Sequence, residues 1–428
     1  MSVAAASSKP LDYRTPMLII GLLFFIFGFV TWMNGPLIQF VELAFELNTV
    51  NAFLVLMVFY LSYFFLALPA AAFLRRTGMK KGMAIGLLTM AAGALVFGEF
   101  AVRRWYPGAL GGLFVIGAGL ALLQTAANPY ISILGPIESA AQRIAFMGIC
   151  NKIAGILAPL LLGVLVMHDM GDLKTQVQAA NPQTRAVLLD AFAARIHAPY
   201  LVMAILLGVL GIWIARSPLP DVHSADANSA GNDARQDRGG IFAFPHLWLG
   251  ALCLFVYVGV EVMAGDAIGT YGRGFGLPPD ETKFFTSFTL SAMLVGYVVG
   301  LLTIPRFLSQ SRYLALSAAL GVALAIGAFL TKGYVSVGFV AALGFANAMM
   351  WPAIFPLAIA GLGRLTETGS ALLIMGIAGG AIVPQGFALL REHHDFQLAF
   401  VSLIVPCYLY ILFYALKGHR AGRLPRGG

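Results

Sequence analysis

Three ionisable side chains stand inside otherwise apolar stretches of the sequence: Lys152 in ICNKIAGILAP, and Glu261 and Asp266 in VYVGVEVMAGDAIGTYG. A charge at the centre of a bilayer costs about 2.5–3.5 kcal/mol on insertion scales, so such residues are either drawn back to an interface or kept for function. Lys152 lies about 13 Å into its run by helical rise. It has three outlets: snorkelling to the surface, donating to a ligand, or pairing with an acid in a proton-sensitive way. Glu261 reads equally as a carboxylate capped by backbone amides or as a proton-coupling group. Asp266, five residues further toward the outer end, is a further candidate for proton coupling or charge pairing, placed where the span reaches toward water.

Amides form the second group. Gln124 and Asn128, in GLALLQTAANPYISILGP, are i and i+4 and share a helix face. Asn34 stands beside Gly35-Pro36, a pair suited to breaking a helix and exposing backbone. Asn347 and Gln385 are the amides of the second half that can close over a ligand, with Trp351 and Pro352 nearby as a mobile gate. An amide left unpaired in an apolar span costs several kcal/mol, so each faces a partner or a wet cavity.

The elements that position these residues follow from composition. Of 428 residues, 59% are hydrophobic and 11% charged, with a mean hydropathy of +0.85. Soluble domains carry roughly 25% charged residues, so this chain is read as an all-α polytopic membrane protein. Twelve apolar runs are long enough to cross a bilayer. They lie near 16–41, 50–74, 82–102, 109–134, 144–167 and 198–216, then near 245–269, 284–305, 313–331, 334–360, 367–390 and 396–417; we number them spans 1 to 12.

Between the two sets of six, RSPLPDVHSADANSAGNDARQDRGG offers almost nothing apolar to bury and reads as a flexible linker. The expected organisation is an N-terminal six-helix bundle (1–215), a cytoplasmic linker (216–243), and a C-terminal six-helix bundle with a basic tail (244–428). The halves echo each other. Gly155-x-x-x-Pro159 in span 5 matches Gly380-x-x-x-Pro384 in span 11, and the Asn128-Pro129 to Glu138 stretch of span 4 has a counterpart from Asn347 to Glu367. Repeated halves with a site between them at the midplane are the architecture of alternating-access carriers. Most of the 27 Lys and Arg residues fall in connections that share a side with both termini, including Arg75, Arg76, Lys80 and Lys81. The positive-inside rule places that side, with both termini, in the cytoplasm.

The net charge of +8 is thus topological and calls for no nucleic acid. Cys150, Cys253 and Cys407 lie in apolar spans without metal-ligand spacing. No nucleophile elbow, His-Glu-x-x-His or Walker lysine loop occurs, so neither an enzyme nor a phosphate-driven pump is expected, and no cofactor or metal.

LLQTAANPYISILGP, VYVGVEV, RRTGMKKG and GSALLIMGIAGGAIVPQ resemble the fucose–galactose–glucose:proton symporter family, a sugar branch of the major facilitator superfamily that includes L-fucose and glucose/galactose permeases. The resemblance runs from span 1 to span 12. It implies a major facilitator fold of two pseudo-symmetric six-helix bundles, a central monosaccharide site and uptake driven by a proton gradient. The expected cargo is fucose, galactose, glucose or an N-acetylhexosamine, whose hydroxyls suit the mixed donors and acceptors of amides. Asn151 matches a family Asn, and Glu261 a family position. Lys152 and Asp266 stand where small residues are usual. The fucose branch has Asn-Asp where this chain has Asn34-Gly35, and Glu at Gln124, where the glucose/galactose branch has Gln. Those replacements keep an uncoupled uniporter or a sodium-coupled carrier open beside proton symport, and a polyspecific drug exporter behind them. A monomer in a bacterial-type inner membrane is the superfamily expectation.

Overall fold

The computed structural model describes residues 14–133, 140–219, 240–304 and 306–422. The Gly135-Pro136 turn with Glu138, Lys9 and most of the linker lie outside them.

Among the described residues, twelve helical segments are long and apolar enough to cross a membrane, as the hydropathy pattern requires. Their outer surfaces carry exposed side chains such as Leu18, Val164, Val209, Leu302 and Leu330. Contiguous apolar surface of that kind suits lipid and not water. Span 3 (Met79–Val102) and span 4 (Tyr106–Ile133) pack backbone to backbone: a Cβ on Gly86 would meet the Gly119 carbonyl at 2.8 Å. Small residues buy this closeness in membranes, where hydrophobicity gives helices no reason to associate. The turn from span 2 into span 3 passes through Gly78 at φ 79°, a conformation that side-chain-bearing residues avoid. Lys80 Nζ then fixes that turn to the Ser217 carbonyl at the end of span 6, 2.6 Å away.

Across the midline, span 5 (Ala140–Leu165) packs on span 8 (Phe285–Thr303), and span 2 (Leu54–Thr77) on span 11. Among the described residues, spans 1, 7, 10 and 11 are interrupted away from their first turn. Span 1 divides into Arg14–Trp32 and Asn34–Ala44, and span 7 into Pro245–Gly265 and Ile268–Gly274. Span 10 divides into Gly333–Asn347 and Met350–Ile359, and span 11 into Thr366–Met375 and Gly379–His393. The sequence pattern had marked only the break at Asn34-Gly35-Pro36 outright. Interrupted helices at membrane depth free backbone groups and concentrate at sites.

Two short helices precede span 6, Met170–Ala179 and Pro182–Ala194. Asn181 caps the second by accepting from the Thr184 N–H at 2.9 Å. They lie on the face opposite the linker, called here the far face.

Candidate functional site

Midway along the spans, both halves enclose a cavity of about 120 Å³. At roughly 10–15 Å³ per water position, it has room for on the order of ten waters, the scale of a small polar molecule.

The first half supplies most of its polar wall. Gln124 and Asn128 face inward from span 4, with Gln124 Nε2 donating to the Tyr63 hydroxyl at 3.0 Å and Asn128 Nδ2 to the Gln124 carbonyl at 3.0 Å. From span 5, Asn151 Oδ1 accepts the Trp32 indole N–H at 3.2 Å, which fixes the indole as a wall of the cavity. Lys152, next in sequence, holds its Nζ 4.3 Å from the centre of the same ring.

The second half answers with one acid. Lys152 Nζ donates to Glu261 Oε1 at 2.8 Å, and the two side chains are 6% and 11% exposed. Tyr257, one turn earlier on span 7, lines the cavity beside the same carboxylate. Lys152 therefore does not snorkel, and Glu261 is not held by backbone amides; the ion pair spans the two halves. A buried pair seldom stabilises more than apolar residues of the same volume would, so packing alone does not account for it. Tyr297 from span 8, with Trp351 and Pro352 from span 10, completes the wall, leaving an aromatic, amide-rich pocket with no net charge.

A model of the Major Facilitator Superfamily matches residues 20–384. This chain belongs to that superfamily. It is 33% identical over 418 residues to a glucose/galactose transporter of Brucella abortus biovar 1 (strain 9-941), covering 97% of each chain. It is 27% identical over 380 residues to the L-fucose-proton symporter of Escherichia coli (strain K12), covering 87% of this chain and 86% of that one. Among solved structures, the superfamily transporter FucP in its outward conformation superposes with a TM-score of 0.74 at 25% identity, covering 94% of this chain and 98% of that one.

Within this superfamily fold, not every amide singled out by sequence reaches the cavity. Asn347 is fully buried away from it, its Oδ1 accepting from the Tyr408 hydroxyl at 2.7 Å, so it joins span 10 to span 12. Gln385 Nε2 donates to the Val50 carbonyl at 3.2 Å, across the seam between spans 11 and 2. Asn34 is buried at the span 1 break and does not line the cavity. Asp266 corrects the expectation of an aqueous side chain: it is 1% exposed, at the span 7 break, with the Tyr60 hydroxyl 3.3 Å from its Oδ2. The tyrosines of the site, Tyr60, Tyr63, Tyr257 and Tyr297, were not singled out by sequence. The i, i+3 spacing of Tyr60 and Tyr63 and the i, i+4 spacing of Tyr257 and Glu261 were the available signals.

Proposed function

We propose that this superfamily member is a proton-coupled carrier of a neutral monosaccharide, glucose or galactose first among them, that alternates access by rocking its two six-span halves about the cavity. The observation that carries this reading is the cavity wall itself. Amides of spans 4 and 5 offer donors and acceptors together, aromatic rings offer faces to a sugar's C–H surface, and the Lys152–Glu261 pair adds polarity without net charge. The names of the relatives, a glucose/galactose transporter and an L-fucose-proton symporter, support the same cargo class and coupling ion.

Gln124, Asn128 and Asn151 serve as sugar-binding groups, and Lys152 and Glu261 as the charge pair that cargo contacts from both halves. Asn34, Asn347 and Gln385 act as framework for the interrupted spans. The functional halves are residues 1–215 and 244–428 joined through 216–243. Both termini are cytoplasmic in a bacterial inner membrane, and the working unit is the monomer.

The test is uptake of radiolabelled glucose, galactose, fucose and N-acetylglucosamine into liposomes holding the purified protein, with and without an inward proton gradient. Concentrative uptake of glucose or galactose that collapses with a protonophore is the expected result. Uptake that only equilibrates and ignores the gradient would make the protein a uniporter. Absence of counterflow for all four sugars would overturn the cargo assignment.

A further inference from the structure

Asp266 is not used by the cavity, yet its placement is unusual. The carboxyl is 1% exposed; Oδ2 accepts from the Tyr60 hydroxyl at 3.3 Å, while Oδ1 has no hydrogen-bond partner among the described residues. It stands where span 7 breaks, directly against the break in span 1: a Cβ on Gly35 would lie 3.1 Å from Oδ1.

Among the described residues no cation pairs with Asp266. From span 1 it meets the Gly35 backbone, from span 2 Tyr60, and from span 8 Thr286, whose hydroxyl donates to the Gly265 carbonyl at 2.8 Å instead. The charges that act on it are Glu261 on its own span and Lys152 on span 5, and these are already paired with each other. Arg273, further along span 7, is engaged by Glu42 at 2.5 Å. A carboxylate enclosed with one weak hydroxyl donor, the Gly35 backbone amide beside it and no counter-charge of its own is a costly species, and a bound proton removes the charge.

One side chain joins this carboxyl to the cavity. Tyr60 lines the cavity with its ring, seated against Gly380 of span 11, and points its hydroxyl at Asp266. Cargo resting on Tyr60 therefore acts on the side-chain donor that Asp266 has.

Resting on the carrier reading above, we propose that Asp266 is the proton-binding carboxyl of the transport cycle. It takes a proton onto a carboxylate oxygen from far-face water while the two helix breaks are apart, and is enclosed as the neutral acid when they close on each other. It releases that proton past Tyr60 into the cavity when cargo departs. No other bond forms or breaks. Glu261 and Lys152 remain a balanced pair throughout, so one proton accompanies one cargo molecule.

The experiment uses the full-length protein in liposomes, glucose and galactose as probes, and a pH-sensitive dye inside. Wild type acidifies the lumen when sugar is added outside, and a gradient of one pH unit supports about tenfold accumulation at one proton per sugar. D266N is expected to lose sugar-driven acidification and all accumulation above equilibrium while still exchanging labelled sugar in counterflow. Y60F is expected to shift the pH profile of uptake without abolishing it. Infrared spectra of the purified proteins supply a readout independent of sugar: a protonated-carboxyl band present in wild type and E261Q and missing in D266N. Wild-type acidification by D266N, an unchanged carboxyl band, or accumulation driven by sodium in place of protons would each overturn the assignment. Absence of wild-type counterflow would sink the cargo reading alone, because the band still decides whether Asp266 carries a proton.

Discussion

The two ends of the cavity are closed in different ways. On the far face, the halves are stitched by hydrogen bonds between named groups. Thr282 Oγ1 donates to Gln39 Oε1 at 3.1 Å and Arg273 to Glu42 at 2.5 Å. The Gly171 N–H donates to Asp280 at 3.0 Å, and buried Lys283 donates to the Met167 carbonyl at 2.5 Å. On the linker face, the ion pair that crosses the halves among the described residues is Arg75–Glu367 at 3.5 Å, with side chains 52% and 22% exposed. Buried bonds of the first kind contribute roughly 1 kcal/mol each and more where a charge is involved, whereas an exposed pair contributes about 0–1. The contrast identifies this conformation as one held shut on the far side, and it locates the energy that a rocking cycle has to exchange.

The strongest way to break the comparison is at the pivot that belongs to neither end. Glu261→Gln leaves the Lys152 ammonium buried without its counter-charge, and losing one partner of a buried pair costs about 3–5 kcal/mol. Thermal unfolding of the detergent-solubilised protein is expected to fall markedly for this variant. The double variant Lys152→Met/Glu261→Gln is expected to recover most of that loss but not transport. If the single variant unfolds like wild type, the pair is not coupled as the 2.8 Å contact indicates.

Next in size is the far seam. Arg273→Ala strands Glu42 and removes one charged tie, a change of about 1.5–3 kcal/mol against the closed far face. Spin labels at Asn51 and Glu392, on opposite halves of the far mouth, are expected to report a population shifted to longer distance. Arg75→Ala, by the same measurement, is expected to move the equilibrium by less than about 1 kcal/mol. Equal shifts from the two variants would erase the proposed asymmetry.

How much of this was legible beforehand depends on the kind of signal. The twelve spans were, because hydropathy is summed over some twenty residues and tolerates local error. The cost of burying Lys152 and Glu261 was legible too, but not their pairing, since 109 residues separate them and only the meeting of spans 5 and 7 joins them. Amides were harder. Gln124, Asn128 and Asn151 lie on uninterrupted helices, where a face can be projected from spacing. Asn34, Asn347 and Gln385 lie on spans 1, 10 and 11, whose breaks reset the helical phase, so a 3.6-residue period cannot be carried across them. The same effect hid the burial of Asp266: an unbroken span 7 carries it outward toward water, whereas the break after Gly265 turns it into the span 1 contact.

The smallest effect concerns the cap of short helices on the far face, where Arg195 clamps Asp169 in a bidentate pair that bridges the end of span 5 and the start of span 6. Hydrogen bonds from the guanidinium hold the Asp169 carboxyl below the usual aspartate range. A carboxyl depressed in the folded state contributes stability that is complete above its unfolded value, about 3.9, and fades as the pH falls through the folded value. Asp169→Asn is therefore expected to lower the unfolding temperature slightly near neutral pH and to converge on wild type in strong acid. Because the pair is partly exposed, solvent screens it and keeps the difference small. A gap between the two proteins that widened on acidification would show that the clamp does not hold Asp169 ionised, and would assign the stability of this cap to Leu189 and Phe192, which it buries, rather than to its charges.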